Sequence, residues 1–382
     1  MKKITLLASL LLLLNGYLSA QNTRLITNIP ADLNENSGMW IDNNQQIWLH
    51  NDGGDSAKLY TLDTFGTIQK TVIVTNAANF DWEDITHDAQ GNLYIGDFGN
   101  NNNNRQNLRI YKISNPNTIV GRTTTATEIK FFYPEQTAFP APDADKNYDA
   151  EALIYHNDSL YIFTKDRTSP HEGYTRLYQL PTDTGTHAAI LLDSFLTGQS
   201  NFVFEITGAA SSPNGQQIAL INANTIWVFS DFVGSDFFGG TAQTYPLGST
   251  TQKEALDFLD DSTIYFSNEN SFLGTPKLFE LKLPNPTITN LVQTKNVVQK
   301  MQVFPNPAKA KINLQLTVSQ AQKLKINLVD ATGKKVQTFT KECFTAGEHQ
   351  MELDLKSIPT GAYYLQVVTG RYKTVQRVVI VE

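Results

Sequence analysis

Residues 83–111 read EDITHDAQGNLYIGDFGNNNNNRQNLRIY and contain three short strand-like segments separated by turn-forming residues. Glu83-Asp84-Ile85 opens the stretch, and Leu93-Tyr94-Ile95 follows after the turn Ala89-Gln90-Gly91-Asn92. The third segment, Leu108-Arg109-Ile110-Tyr111, alternates apolar with polar side chains. Short runs of aromatic and β-branched residues between Gly- and Asn-rich turns are typical of antiparallel strands. The stretch therefore predicts a meander of short strands.

The same unit occurs five times between residues 37 and 281, each time opening at an oxygen-bearing residue. The distances between successive openings are 46, 68, 56 and 47 residues. Units of about 40–50 residues with four short strands are the sequence pattern of β-propeller blades. A single meander cannot bury both of its faces, so such blades have to pack around a common axis. The openings are Ser37, Glu83, Glu151, Thr207 and Glu254.

The repeats predict an all-β protein with a five-bladed β-propeller over residues 21–295. A six-bladed ring with one degenerate blade is the main alternative, because the unit of 68 residues has length to spare. A β-sandwich is a further alternative. The fifth unit lacks a fourth strand of its own, so either residues 23–29 or residues 287–292 are expected to supply it. The extra length, at residues 131–148 with three prolines, is expected to be a surface insertion.

Composition limits the classes of partner and of stabilising bond. The 382 residues include 30 basic and 37 acidic side chains, for a formal charge of −7. This mild acidity argues against nucleic acid as a partner, since phosphate binding needs clustered Lys and Arg. The single cysteine, Cys343, excludes an internal disulfide. The fold is therefore expected to depend on core packing, on a metal ion, or on both.

The first twenty residues have the pattern of a signal peptide. Lys2 and Lys3 precede the apolar run 4–14, and Leu18-Ser19-Ala20 offers a small-residue cleavage site. The mature chain is then expected to begin at Gln21. No later stretch is apolar over the roughly 20 residues that a membrane-spanning helix needs. The sequence thus predicts an exported protein without a transmembrane segment in its mature form.

The five openings predict a metal site. The first strand of each propeller blade lines the central channel, so Ser37, Glu83, Glu151, Thr207 and Glu254 are expected to ring one of its mouths. Three close carboxylates cannot all stay ionised without compensation. A calcium ion, which takes six to eight oxygen ligands, would supply it. Alternatively, Glu or Asp at the blade starts hydrogen-bonds backbone amides of the neighbouring blade and holds the ring together.

The loops between second and third strands are expected to open on the same face and to form a ligand site there. Mixed carboxylates and cations beside a metal could bind a phosphate, a carboxylate or a sugar, and could do hydrolytic acid–base work. The candidates are Asp52, Asp97, Arg105, Lys165, Asp166, Arg167 and Glu269. The competing interpretation is that Asn, Asp and Gly form turns here for backbone reasons, with 100–104 a flexible tip. No Gly-x-Ser-x-Gly elbow or phosphate-binding glycine loop indicates a nucleophile.

Two resemblances concern this part of the chain. The order of hydroxyl and carboxylate openings is similar to that of the five-bladed calcium-dependent apyrases, and this implies the central calcium. Separately, four stretches look like a group of uncharacterised bacterial propeller proteins, which supports the fold and implies no settled activity. These stretches are 81–85, 96–100, 149–153 and 164–167.

The C-terminal residues 296–382 follow a different pattern. Residues 283–294, rich in proline, threonine and asparagine, form the expected boundary. Beyond them, segments of period-two alternation separated by turns predict a small antiparallel, immunoglobulin-like β-sandwich. The segments include 311–316, 324–329 and 363–368.

This module resembles the type A C-terminal sorting domain of the type IX secretion system. The matching features are Pro305-Asn306-Pro307, the Asp330-x-x-Gly333-Lys334 hairpin and the run from Leu355 to Tyr364. The resemblance implies a Bacteroidetes-type cell, the secretion machinery as partner, and passage through the outer membrane. It also implies removal of the module as the protein is released or attached to the surface. An ordinary adhesive sandwich domain is the alternative.

The leading functional expectation is a secreted or cell-surface propeller that binds a small polar ligand or glycan over a central Ca²⁺. One alternative is a calcium-dependent hydrolase of phosphate esters or similar polar substrates. Another is a structural or adhesive surface protein. The sequence names neither ligand nor substrate.

Overall fold

The computed structural model describes residues 23–198, 203–284, 298–319, 321–330, 334–369 and 372–381. The predicted signal peptide and the alternative closing strand at 287–292 lie outside these ranges. The described residues divide into two compact units, one before residue 285 and one after it. The second unit also includes Phe229–Thr241.

The first unit is built from short strands, with brief 3₁₀ turns at Ala31–Leu33, Pro116–Thr118 and Asp143–Asp145; the 3₁₀ turn Phe237–Gly239 lies in the segment that belongs to the second unit. In chain order the strands are β1 (Thr23–Asn28), β2 (Asn36–Ile41), β3 (Ile47–Asn51), β4 (Lys58–Leu62), β5 (Ile68–Val74), β6 (Trp82–His87), β7 (Leu93–Asp97), β8 (Arg109–Ile113), β9 (Thr123–Thr124), β10 (Thr127–Phe132), β11 (Asp149–His156), β12 (Ser159–Lys165), β13 (Tyr174–Pro181), β14 (Gly185–Ala188), β15 (Ile190–Leu196), β16 (Gly208–Ser211), β17 (Gln217–Ile221), β18 (Thr225–Ser230), β19 (Thr241–Pro246), β20 (Lys253–Asp260), β21 (Thr263–Asn268) and β22 (Lys277–Lys282).

In the part of the chain before residue 285 that the structure describes, these strands form five sheets. Each sheet begins close to one of the predicted openings, and β9 and β14 join their sheets as parallel outer strands. The strand orders are β2-β3-β4-β5-β9, β6-β7-β8-β10-β14, β11-β12-β13-β15, β16-β17-β18-β19 and β20-β21-β22-β1. The repeat read from the sequence thus corresponds to one sheet.

The sheets pack face to face through apolar clusters, which explains why their central strands are buried on both sides. Leu160 and Ile162 in β12 share one cluster with Tyr94 in β7. Another cluster joins Trp48 in β3 to Ile95 in β7. Further clusters join β18 to β21 and β3 to β22. Because the central strands are buried on both faces, their sequences are continuous apolar runs. A strand exposed on one face would instead alternate apolar with polar residues.

The innermost strands touch one another in a cycle. Strand β2 contacts β6, β6 contacts β11, β11 contacts β16, β16 contacts β20, and β20 contacts β2 again. The N-terminal strand β1 pairs with β22, the third strand of the last sheet. Of the two segments that the sequence left open for this outer strand, the structure shows the N-terminal one in that place. The fold is all-β and propeller-like.

The predicted surface insertion at residues 131–148 is wrong in one respect, because part of it belongs to the core. Phe131, Tyr133, Ala141 and Tyr148 are buried in the cluster between the second and third sheets. Aromatic side chains spaced irregularly along a proline-rich loop gave no periodic signal of this burial.

The second unit contains strands β23 (Val298–Phe304), β24 (Lys311–Val318), β25 (Gln322–Asp330), β26 (Lys335–Phe344), β27 (Gly347–Asp354), β28 (Gly361–Thr369) and β29 (Tyr372–Ile380). The described strands form a sheet of order β23-β24-β27 and a sheet of order β26-β25-β28-β29. Alternate residues such as Ile312, Leu314, Ile326 and Leu365 share one apolar cluster. Period-two alternation onto a common core is the packing expected of a small sandwich.

Candidate functional site

The innermost strands carry β-bulges close to their openings. Pairing registers shift between Ser37 and Met39, between Trp82 and Ile85, between Ala150 and Ala152, and between Lys253 and Ala255. A bulge places an extra residue outside the regular ladder and redirects its side chain. The residues at these bulges include Glu83, Glu151 and Glu254. Three of the five predicted metal ligands therefore lie at bulges near the start of an innermost strand.

The two hydroxyls of the predicted metal ring join neighbouring sheets. The Ser37 hydroxyl donates to the main-chain oxygen of Glu83, and the Thr207 hydroxyl donates to that of Lys253. Both hydroxyls thus link neighbouring sheets by donating to main-chain oxygens, whereas the alternative interpretation had carboxylates bond backbone amides. Their participation in a metal shell stays a prediction.

The ammonium of Lys165 lies among the predicted ring carboxylates. Its Nζ is 3.0 Å from Glu151 Oε1, and Glu151 and Glu254 are the carboxylates that most raise the pKa of Lys165 against the opposing effect of burial. Glu151 and Glu254 are only 3% and 6% exposed. Lys165 thus neutralises part of the carboxylate charge that the sequence analysis expected a metal ion to neutralise.

Arg167 adds a second cation beside Lys165. Its Nε lies 2.7 Å from Asp149 Oδ2, and its Nη2 lies 3.3 Å from Glu151 Oε1. The guanidinium also contacts the side-chain oxygen of Asn101. Lys165 and Arg167 are therefore both committed to carboxylates of the protein itself.

A separate group of carboxylates lies together at the same mouth. Oxygens of Asp52, Asp81 and Glu83 all lie within 4.8 Å of one another. Glycine is required beside them, since a Cβ on Gly99 would meet Glu83 Oε1 at 2.0 Å and Asp81 Oδ2 at 2.6 Å. A Cβ on Gly53 would meet Asp81 Oδ1 at 2.5 Å. We call Asp52, Asp81 and Glu83 the carboxylate triad.

The nearby basic side chains are paired with other carboxylates. Arg105 Nη2 is 3.0 Å from Asp97 Oδ1, and Lys165 and Arg167 pair with Glu151. Among the described residues, the triad is left without an ion-pair partner.

The electrostatic consequence is a raised pKa at each carboxyl of the triad. Burial raises the pKa of Asp81 to about 6, and the charge of Asp52 adds to the effect. Burial and the neighbouring charges of Asp52 and Glu151 raise the pKa of Glu83 well above its usual value. Burial likewise raises the pKa of Asp52. A divalent cation would relieve this repulsion.

Asp97 and the asparagine-rich loop hold the triad and the arginines in place. Asp97 is fully buried, accepts the N–H of Asp81 at 3.1 Å, and pairs with Arg105. Asn100 accepts the N–H of Arg105 at 2.9 Å and donates its own N–H to Asp149. Asn100 and Asn103 are 1% and 0% exposed. Asn100 and Asn103 thus anchor this loop, whereas Asn101, Asn102 and Asn104 are exposed.

The two remaining sequence candidates differ in their placement. Glu269 is 4% exposed, and its Oε2 has no hydrogen-bond partner among the described residues. Burial, Glu254 and then Glu35 raise the pKa of Glu269 to about 10, so it belongs with the carboxylates of the mouth. Asp166 instead fixes its own loop, accepting bonds from Thr168 at 2.8 and 2.6 Å and from the N–H of Gly173.

Sequence reasoning missed Asp81 and Asp149 as members of the site. Both stand two residues before a glutamate at the start of an innermost strand, in Asp81-Trp82-Glu83 and Asp149-Ala150-Glu151. The repeated Asp-x-Glu was the available signal. Asp84 was missed as well: its Oδ2 accepts the N–H groups of Leu153 at 2.8 Å and Ala209 at 3.2 Å. It forms a buried floor between three sheets.

Comparisons with known proteins identify the C-terminal part. Residues 302–381 match the secretion system C-terminal sorting domain. No curated protein matches the chain. The chain is an exported all-β protein with a propeller-like unit and a type IX secretion sorting domain.

Solved structures similar to the chain are propeller-like but distant. One is the PQQ-bound aldose sugar dehydrogenase of Streptomyces coelicolor, 10% identical, with a TM-score of 0.42 over 68% of this chain and 97% of that one. Another is PorZ, a surface component of the type IX secretion system of Porphyromonas gingivalis. It is 10% identical, with a TM-score of 0.33 over 91% of this chain and 45% of that one. At such scores neither likeness bears on activity.

The sorting domain places the protein outside the cell, either secreted or attached to the cell surface. It also implies an interaction with the secretion machinery. Within the described residues, no helix has the length and apolar character needed to cross a membrane.

Proposed function

We propose that the first unit, over residues 21–295, is a five-bladed propeller that binds a calcium ion at the carboxylate triad and holds a ligand over that ion. The observation that carries the proposal is the convergence of Asp52, Asp81 and Glu83 within 4.8 Å without an ion-pair partner among the described residues. The cyclic contacts of the five innermost strands support the blade number.

The donor set fits a hard divalent cation. Three carboxylates offer oxygen and no nitrogen or sulfur, which suits Ca²⁺ or Mg²⁺ rather than Zn²⁺. Calcium tolerates irregular geometry with six to eight oxygens, whereas magnesium demands a near-ideal octahedron. One carboxylate of the triad lies in the loop after β3 and the other two lie at the bulged start of β6, so their arrangement is irregular. We therefore favour calcium.

Of the five metal ligands predicted from the sequence, only Glu83 belongs to the triad, and Asp52 and Asp81 are the other two ligands. Glu83 remains a ligand, while Glu151 faces Lys165 and Arg167. Three protein carboxylates would leave several of calcium's coordination positions open on the mouth side. Water or a ligand would fill them.

Binding is favoured over hydrolysis of phosphate esters. A phosphate site needs cations free to meet the anion, and the guanidinium and ammonium groups here already pair with Asp97, Asp149 and Glu151. A ligand held by calcium and by polar rim groups requires no such cation.

Thermal unfolding of the purified protein tests the proposal. A ligand bound only by the folded state stabilises it by about 2.7 kcal/mol at a hundredfold excess over its Kd. We expect Ca²⁺ to raise the Tm relative to chelator, and Glu83→Gln to abolish the rise. The matched control is Glu205→Gln, whose carboxylate lies at the mouth, 4.0 Å from Arg167 and outside the triad. A calcium response that survives in Glu83→Gln, or none in the parent protein, would contradict the proposal.

A further inference from the structure

An exposed aromatic side chain belongs to the segment that carries the carboxylate triad. Phe80 precedes Asp81 in the chain and is 57% exposed. Its main-chain oxygen would lie 3.1 Å from a Cβ on Gly53, next to Asp52. A large apolar side chain in this position is not used by the core.

The Phe80 ring is held in place by a fixed arginine. The guanidinium carbon of Arg109 lies 5.8 Å from the ring centroid. Arg109 is itself anchored, with Nη1 3.0 Å from Glu128 Oε1 and Nε 3.8 Å from Asp97 Oδ2. One face of the ring is thus supported by the protein, and the exposed part is available to a ligand. A rigid aromatic surface gives binding energy at low entropic cost.

The charge at the mouth disfavours an anionic ligand. Eight acidic side chains gather there, and the three cations beside them, Arg105, Lys165 and Arg167, are all ion-paired with carboxylates. The acidic side chains are Asp52, Asp81, Glu83, Asp149, Glu151, Glu205, Glu254 and Glu269. None of these three cations is therefore left unpaired to meet an anionic ligand.

The one cavity described at the mouth is small. A cavity beside Lys165, lined by Thr207, Gln252 and Glu254, has about 30 Å³ of room for water, which suits roughly one water molecule. A ligand would therefore lie across the rim. It would reach the cation with oxygen atoms and rest its apolar face on Phe80.

We propose that the ligand is an uncharged polyhydroxylated molecule, a carbohydrate, whose neighbouring hydroxyls complete the calcium shell while a sugar ring stacks on Phe80. This inference rests on the proposed function, since the hydroxyls need the cation. Hydroxyl oxygens suit calcium's preference for oxygen ligands. Sugar rings have the apolar C–H faces that an aromatic ring accepts.

A glycan array tests the inference with the whole protein. The array carries neutral, sulfated, phosphorylated and amino-substituted glycans, and it is probed in calcium and in chelator. We expect neutral glycans to be bound in calcium and lost in chelator. Phe80→Ala should weaken that binding about 3- to 10-fold, the range of one aromatic contact. Phe65→Ala is the matched control, because Phe65 is 87% exposed in the turn between β4 and β5, away from the β3–β4 loop that carries Asp52.

The outcomes separate the inference from the proposed function. Preference for sulfated or phosphorylated glycans, or binding of amino-substituted glycans in chelator, would overturn the carbohydrate inference. So would an array without any hit for a protein whose calcium-dependent Tm rise is intact. If calcium has no effect on the Tm, the proposed function fails and the inference fails with it.

Discussion

Asp84 forms the floor of the mouth, and replacing it with alanine should weaken the first unit more than most single substitutions. The carboxylate is fully buried and accepts the N–H groups of Leu153 in β11 at 2.8 Å and of Ala209 in β16 at 3.2 Å. Its other oxygen accepts the N–H of Ile85 at 2.8 Å. Asp84→Ala leaves the donors of two other sheets buried without an acceptor.

The size of the effect follows from these bonds. A buried donor that loses its acceptor costs about 1–3 kcal/mol, so two donors cost about 4 kcal/mol. Part of this is offset, because burial raises the pKa of Asp84 well above its usual value and so opposes the charged form. We expect a net loss of about 3 kcal/mol of unfolding free energy.

Urea unfolding followed by tryptophan fluorescence measures this loss. The chain's four tryptophans all lie in the first unit, so the signal reports on that unit alone. Asp257→Ala is the matched control, since Asp257 accepts one N–H from another sheet, that of Ile41 at 2.7 Å. Its loss should be about half as large. A loss below about 1 kcal/mol for Asp84→Ala, or one no larger than that of Asp257→Ala, would refute the reasoning.

Three further predictions concern the site and its surroundings. Gly99→Ala should abolish the calcium-dependent rise in Tm, because its Cβ would lie 2.0 Å from Glu83 Oε1 and displace the triad. Gly274→Ala is the control and should retain the rise, because no atom lies nearer than 3.5 Å to its Cβ. An equal response in both variants would argue against the triad. Lys165→Met leaves Glu151 without its 3.0 Å ammonium partner, so the free energy of unfolding should fall by about 3 kcal/mol. Titration calorimetry should show additional Ca²⁺ bound in place of the ammonium. An unchanged number of Ca²⁺ ions bound per protein would count against a shared role of lysine and metal. Burial raises the pKa of Asp257 to about 7, so the folded chain retains a proton that the unfolded chain releases, and stability should fall as pH rises from about 4 to 7. Asp257→Asn should flatten that slope in urea titrations, and an unaltered slope would contradict the assignment.

The sequence determined the sheets better than it determined the site. Regular turns and openings at 37, 83, 151, 207 and 254 correspond to the starts of the five innermost strands. Counting strands also showed that the last sheet needs an outer strand from elsewhere in the chain, and β1 supplies it. Such features are encoded locally, by β-branched runs and turn residues, and so they can be read from a single chain.

The site depends on side-chain direction, which local pattern does not encode. A bulge at Glu151 turns its carboxylate toward Lys165, a residue fourteen positions later. Asp166 and Arg167 are adjacent in sequence, yet one fixes its loop and the other enters the mouth. Only the packing of neighbouring sheets decides between these roles.

The central claim is that a cation binds at the carboxylate triad rather than at the centre of the ring of openings. Crystals of the protein grown with Ca²⁺, or with a heavier ion of similar chemistry, would locate it by anomalous scattering. The account predicts one peak with oxygens of Asp52, Asp81 and Glu83 at about 2.3–2.6 Å and Lys165 still paired with Glu151. A peak among Glu151, Thr207 and Glu254 with Lys165 displaced, or no peak at saturating calcium, would contradict it.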